Sequence, residues 1–181
     1  DNGVQIIDIT TPGSPSATAS VTDGVGGFNT LENASDITTV VIGSNTYALV
    51  ASYGDNGVQI IDITTPGSPS VTASVTDGVT FDELAGAMSI TTVVIGSNTY
   101  ALVASYNDNG VQIIDITTPG SPSATASVTD GVGGFNTLGG ASYITTVVIG
   151  SNTYALVAGS ADDGVQIIDI TTPGSPSATS S

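Results

Sequence analysis

Three tripeptides, Asp55-Asn56-Gly57, Asp108-Asn109-Gly110 and Asp162-Asp163-Gly164, place carboxylate, amide and carbonyl oxygens at one recurring position. Asp23, Asp77 and Asp130 recur in the same way. Hard oxygen ligands of this kind suit Ca2+ or Mg2+. The same residue types are also what a tight turn selects, since Asp, Asn and Gly tolerate positive φ or bond their own backbone. No Asp-x-Asp-x-Asp loop is present. Both readings therefore stand: Ca2+ held at these residues, or turns bathed in diffuse counter-ions.

Another recurring acid is Asp8, Asp62, Asp115 and Asp169, each followed by Ile-Thr-Thr-Pro. Repetition and a near-buried setting invite a catalytic reading. The simpler account is a turn cap, in which the carboxylate accepts from the loop's backbone N–H or a Thr hydroxyl. Catalysis is otherwise short of groups, because the chain has no His, Cys, Lys or Arg. Nucleophile–base triads, Schiff bases and phosphoryl clamps are unavailable. A carboxylate pair for glycoside hydrolysis stays formally open, and Asp82-Glu83 is where it would sit. Near-identical repeats argue against one specialised pair, so no catalytic residue and no enzyme is expected.

All 16 charged side chains are acidic, so the formal net charge is −16. No internal salt bridge can form, and repulsion must be met by water, hydrogen bonds or dissolved cations. Nucleic acid is excluded as an electrostatic partner, because nothing neutralises phosphate. An anionic membrane surface is disfavoured for the same reason. No apolar run is long enough for a membrane-spanning helix, so membrane insertion is not expected. Apolar residues make up 39% of the chain, which favours a packed β-rich core over disorder. The absence of Cys removes disulfides and zinc–thiolate sites. Asp1 falls inside a repeat, so any leader is expected outside this segment.

These acids are positioned by a tandem repeat. Val-Gln-Ile-Ile-Asp-Ile-Thr-Thr-Pro-Gly-Ser-Pro-Ser starts at Val4, Val58, Val111 and Val165, at spacings of 54, 53 and 54 residues. A second block, Ile-Thr-Thr-Val-Val-Ile-Gly-Ser-Asn-Thr-Tyr-Ala-Leu-Val-Ala, starts at Ile37, Ile90 and Ile144. Each repeat reads as four strands, at 37–42, 46–53, 58–63 and 71–76 in the first full copy. Strands one and two are apolar almost throughout, as if covered on both faces, while the fourth alternates like an outer strand. The expected fold is all-β: a β-propeller with four-stranded antiparallel blades of 53–54 residues, about three and a half of them. The expected divisions are a half-blade at 1–24 and repeats at 25–78, 79–131 and 132–181. The odd half-blade is expected to reflect an excerpt from a longer array or an edge where copies associate.

In such a blade, the loops between strands two and three share one face with the inter-blade loops. That face receives Asp1, Asp23, Glu32, Asp36, Asp55, Asp77, Asp82, Glu83, Asp108, Asp130, Asp162 and Asp163, 12 of the 16 acids. The inter-blade stretch carries Phe28, Leu31 and Ala34, matched by Phe81, Leu84, Ala87 and by Phe135, Leu138, Ala141. That spacing predicts a helical or 3-10 turn laying an apolar side on the blades. The copies differ mainly here, at Asn29/Asp82/Asn136, Glu32/Ala85/Gly139 and Asp36/Ser89/Tyr143, with Glu83 between. Any selective binding is expected in this loop.

The block Val-Gln-Ile-Ile-Asp-Ile-Thr-Thr-Pro-Gly-Ser-Pro-Ser-Ala-Thr-Ala-Ser-Val-Thr-Asp-Gly resembles the LVIVD-repeat family. It has an apolar strand ending in Asp, a β-branched residue and a hydroxyl, then a Pro-x-x-Pro element, then a second strand. The proline pairs are Pro12/Pro15, Pro66/Pro69, Pro119/Pro122 and Pro173/Pro176. The resemblance implies a propeller from secreted or surface-exposed microbial proteins of mostly unknown function. This chain departs from it in the long inter-repeat loop and in lacking basic residues. The function expected is an extracellular structural or self-assembling component of a surface, matrix or filament. Its partners would be copies of itself or the rest of a longer array. The alternative is a binding module presenting its acidic loops to a glycan, a cationic partner or divalent cations.

Overall fold

A computed structural model describes residues 2–180. Asp1, placed on the acidic face above, lies outside the described residues. Among the described residues every regular element is a strand. β1 (Gly3–Asp8) and β2 (Ser16–Thr22) form a two-stranded sheet. β3 (Ala34–Ile42), β4 (Asn45–Ser52), β5 (Gly57–Asp62) and β6 (Ser70–Thr76) form the first four-stranded sheet. β7 (Ala87–Ile95), β8 (Asn98–Ser105), β9 (Gly110–Asp115) and β10 (Ser123–Thr129) form the second. β11 (Ala141–Ile149), β12 (Asn152–Gly159), β13 (Gly164–Asp169) and β14 (Ser177–Ser180) form the third. Within each sheet the strands run in sequence order and every pairing is antiparallel.

The turns follow from backbone chemistry. Gly43, Gly96 and Gly150 each take φ 65 between the first two strands of their sheets. Between strands two and three, Asn56, Asn109 and Asp163 adopt φ 54, 57 and 52, a left-handed conformation these side chains tolerate. The first strand of each sheet starts three residues before the β-branched run, at Ala34, Ala87 and Ala141, and each carries a bulge there.

The sheets stack face to face, with the first strands β3, β7 and β11 packed against one another in turn. Three apolar clusters fill the gaps. Val21, Phe28 and Leu31 pack with Ala48, Val50 and Ile61 between the two-stranded sheet and the first full one. Leu49, Ala51 and Ile60 pack with Leu84, Ile90 and Val103 in the next gap, and Leu102, Ala104 and Ile113 with Leu138, Ile144 and Val157 in the last.

Two expectations need correction. Strand one is not covered on both faces. It is an edge of its sheet, and Val41, Val94 and Val148 are exposed at the same position in all three copies. The strands closed on both sides are two and three, so β5 and β9 are buried over five of their six residues. The inter-repeat stretch also forms no helical turn. Gly24, Gly26 and Gly27 take φ 73, 66 and 90, and Val25 and Phe28 form an isolated antiparallel bridge. A right-handed helix cannot pass through those angles. Phe28, Leu31, Phe135 and Leu138 still pack inward, and Phe81 is partly buried, so these aromatics are core rather than a binding ridge.

Candidate functional site

The recurring acids lie where inter-sheet loops meet strand turns, and Asp23, Asp55, Asp77, Asp108, Asp130 and Asp162 each accept a backbone N–H through one carboxylate oxygen. Asp23, Asp77 and Asp130 each hold the N–H of the buried leucine in the next loop: Leu31 at 3.0 Å, Leu84 at 3.2 Å and Leu138 at 3.0 Å. Asp55, Asp108 and Asp162 receive the next N–H along, from Glu32 at 2.7 Å, Ala85 at 2.6 Å and Gly139 at 2.7 Å. Asn56 and Asn109 reach into the following sheet's loop, accepting from Gly86 and Gly140 at 2.8 Å each. Asp163 replaces Asn at the matching place in the last sheet and is exposed. A loop without helical bonds must find partners for its N–H groups, and this carboxylate comb supplies them. Among the described residues no three His, Cys, Asp or Glu side chains are grouped to hold a metal ion.

The strand-three acids work at the opposite end. Asp8, Asp62, Asp115 and Asp169 each accept the N–H of the Thr two residues on, at 2.8 Å. Asp62, Asp115 and Asp169 also accept from Asn45, Asn98 and Asn152, at 3.0, 3.1 and 3.2 Å. Bonds from the Thr hydroxyl, then from its N–H, hold the Asp8, Asp62 and Asp169 carboxyls below their ordinary value. A depressed carboxyl contributes stability above the unfolded value, and that contribution is lost as acid protonates it. Truncating Asp115 leaves the Thr117 N–H and the Asn98 amide without this acceptor. Asp115→Ala is expected to cost about 1 kcal/mol, read from the urea midpoint at pH 7.

The variable-loop residues do not form one surface. Asn29, Glu32, Asp82, Asn136 and Tyr143 are exposed. Asp36 instead bridges sheets, accepting from Ser89 Oγ at 2.8 Å and Ile90 N at 2.9 Å. One sheet further on, Ser89 takes over this role and accepts from Ile144 N at 3.3 Å. Tyr143, next in the series, points to solvent at 62% exposure. Glu83 is buried, packed over Gly110 and bonded to the Thr129 hydroxyl. Burial, followed by the nearby Asp108, Asp82 and Asp77 charges, pushes its carboxyl up to about 7 against the opposing Thr129 bond. Burial likewise raises Asp108.

The strand-three glutamines were not singled out by sequence reasoning. Gln59 and Gln112 donate to the fourth strand, to Ala73 O at 2.8 Å and Ala126 O at 3.0 Å. Gln112 and Gln166 accept from the loop, at Glu83 N (3.3 Å) and Asn136 N (3.0 Å). The available signal was an amide recurring inside an apolar strand, where burial demands a partner.

The LVIVD repeat matches residues 35–77 and 91–130, which carry the strand-three Asp, its Thr partner and the Pro-x-x-Pro loop. The chain carries LVIVD repeats. Among solved structures, these repeats resemble a functionally unknown protein from Desulfotomaculum acetoxidans, with a TM-score of 0.66 at 16% identity, over 97% of this chain and 48% of that one. A Lactobacillus plantarum protein matches with the same TM-score and identity, over 98% of this chain and 50% of that one. The LVIVD chain thus spans about half the length of both, and the likeness is one of fold. Comparison with curated proteins found no match.

Proposed function

We propose that this LVIVD chain is part of an extracellular or cell-surface β-propeller whose role is structural. It acts as a rigid, self-assembling repeat element of a surface layer, matrix or filament, without catalysis. The observation that carries this reading is the engagement of the acidic groups. The recurring acids at both ends of the sheets bond loop N–H groups, in nearly the same way from copy to copy. Such groups position backbone instead of standing free for chemistry. The buried Glu83 sits under Thr129 and Gly110, away from solvent. Two-fold longer solved relatives support a ring with more blades than this chain supplies.

Self-assembly is tested by electron microscopy and light scattering in Ca2+, then in EDTA at matched ionic strength. Ordered arrays that dissolve in EDTA are the expected result. Discrete particles indifferent to EDTA would discard both assembly and its dependence on calcium. A second reading, a module binding a glycan or cationic partner, draws on the exposed Asn29, Glu32, Asp82 and Asn136. Replacing the exposed Asn29, Glu32, Asp82 and Asn136 with alanine would then abolish binding on a glycan array while leaving assembly intact.

A further inference from the structure

Asn-Gly stands at 56–57 and again at 109–110, and the fold selects both residues of each pair. Asn56 and Asn109 take φ 54 and 57 in the turns between strands two and three. A Cβ on Gly57 would collide with Val75 O, and one on Gly110 with Val128 O. The pair that suits this turn is also the dipeptide most open to attack on itself, because glycine puts no side chain in the path of its own nitrogen. In that reaction the Gly57 nitrogen attacks Asn56 Cγ. An N–Cγ bond forms, the Cγ–Nδ2 bond breaks, and ammonia leaves with the proton that the Gly57 nitrogen gives up. Water then opens the succinimide at either carbonyl. The product is Asp, or isoAsp with one extra carbon in the main chain.

In the folded chain every group that this reaction must move is held. Asn56 O accepts from Asp77 N at 2.8 Å, and Asn56 Oδ1 accepts from Gly86 N at 2.8 Å. Ile63 donates to Thr46 O at 2.9 Å, and strand alternation carries that pattern along β5 to Gly57, whose N–H faces Ser52. Asn109 is held alike, by Asp130 N at 2.9 Å and Gly140 N at 2.8 Å, with Gly110 opposite Ser105.

These restraints are tied to the following sheet. Asp77 holds the Asn56 carbonyl through its N–H and the Leu84 N–H through its carboxylate. Leu84 is wholly buried and lies two residues before Gly86. Leu84, Asp77, Asn56 and Gly86 thus close a circuit between one turn and the next sheet's loop. Leu138, Asp130, Asn109 and Gly140 repeat it. Lifting the loop frees the asparagine side chain and slackens the hold on its peptide together. The turn also accepts the ordinary product, since Asp163 takes φ 52 at the matching place.

We propose that Asn56 and Asn109 are deamidation sites gated by the contact between adjacent sheets. Each amide survives while the next sheet's loop is docked, and is converted when that loop lifts. The reaction consumes only water and needs no catalyst. Conversion to Asp adds a negative charge and leaves the turn usable. Conversion to isoAsp lengthens the turn and records the opening permanently.

The test holds the wild-type chain at pH 8 and 37 °C in 18O-labelled water, both native and unfolded in urea. Chymotryptic peptides following Tyr53 and Tyr106 are then read by mass spectrometry for label and for isoAsp. Both sites should convert about tenfold or more slowly in the native chain than in the unfolded one, because reaction waits on local opening. Leu84→Ala loosens the loop that carries Gly86, so it should speed Asn56 about fivefold or more relative to Asn109. Leu138→Ala should reverse that preference. Leu84→Val and Leu138→Val take their place if the alanine chains do not fold. Native and unfolded rates within threefold of each other would overturn the proposal, since the fold would then gate nothing. So would equal rates at Asn56 and Asn109 in both folded leucine variants, which would make global unfolding the gate.

Discussion

Leu102→Ala is expected to destabilise the chain by about 2–5 kcal/mol, and Leu156→Ala by less than half as much. The two leucines occupy the same position in the same strand sequence, paired with Ile113 and Ile167 in the same register. They differ only in what lies above them. Leu102 is wholly buried, clustered with Leu138, Ile144 and Val157 of the following sheet. Leu156 belongs to the last sheet and is half-buried. Removing its methyls deletes fewer contacts and leaves a dent at the surface rather than a cavity. Urea unfolding of both variants at several protein concentrations separates the possibilities. Equal costs at the lowest concentration would contradict the stacking order. A cost at Leu156 that climbs with concentration would show a second molecule covering the last sheet, because association stabilises by mass action.

Much of this architecture was legible in the chain, for reasons that particular residues make plain. The strands could be placed because Val, Ile and Thr runs are interrupted by Gly43, by Asn56-Gly57 and by Pro66 and Pro69, each of which suits a turn and resists a strand interior. Asp62 could be read as a cap because its partner Thr64 is two residues away, and local hydrogen bonds follow from local sequence. The inter-repeat loop was misread because its bonds are not local. Leu31 N finds Asp23, Glu32 N finds Asp55 and Gly86 N finds Asn56, at sequence separations of 8, 23 and 30 residues. The apolar spacing of Phe28, Leu31 and Ala34 imitates a helical face. Two consecutive left-handed glycines, with acceptors from two other turns, make a non-helical path satisfy the same N–H groups. The hydrogen-bond partners of the candidate cation ligands were hidden for the same reason. Asp55 and Asp108 carry oxygens suited to a metal, but the neighbouring loop presents N–H groups to them at 2.7 and 2.6 Å.

Glu83→Thr is expected to stabilise the chain by about 1–3 kcal/mol at pH 8, with a much smaller gain at pH 4.5. The matching residues in the other two copies are Thr30 and Thr137, whose methyls stand over Gly57 and Gly164 as the Glu83 carboxyl stands over Gly110. A carboxylate in that niche is a poor fit. Oε2 is buried without a hydrogen-bond partner, and Asp108, Asp82 and Asp77 add like charge. The sign of the pH effect follows from its raised value of about 7. Between the ordinary carboxylate range and pH 7 the folded chain keeps a proton that the unfolded chain has released. Stability therefore falls as pH rises through that window and levels off above it. The chain has no His to titrate across the same range. Thermal or urea melts of the wild type from pH 4.5 to 8 should slope downward, and the slope should flatten in Glu83→Thr. Glu83→Gln separates charge from shape: it should flatten the profile while keeping an unpartnered polar end over Gly110. Parallel profiles for wild type and both variants would show that the carboxyl is solvated, and that the niche tolerates an ion as readily as a methyl.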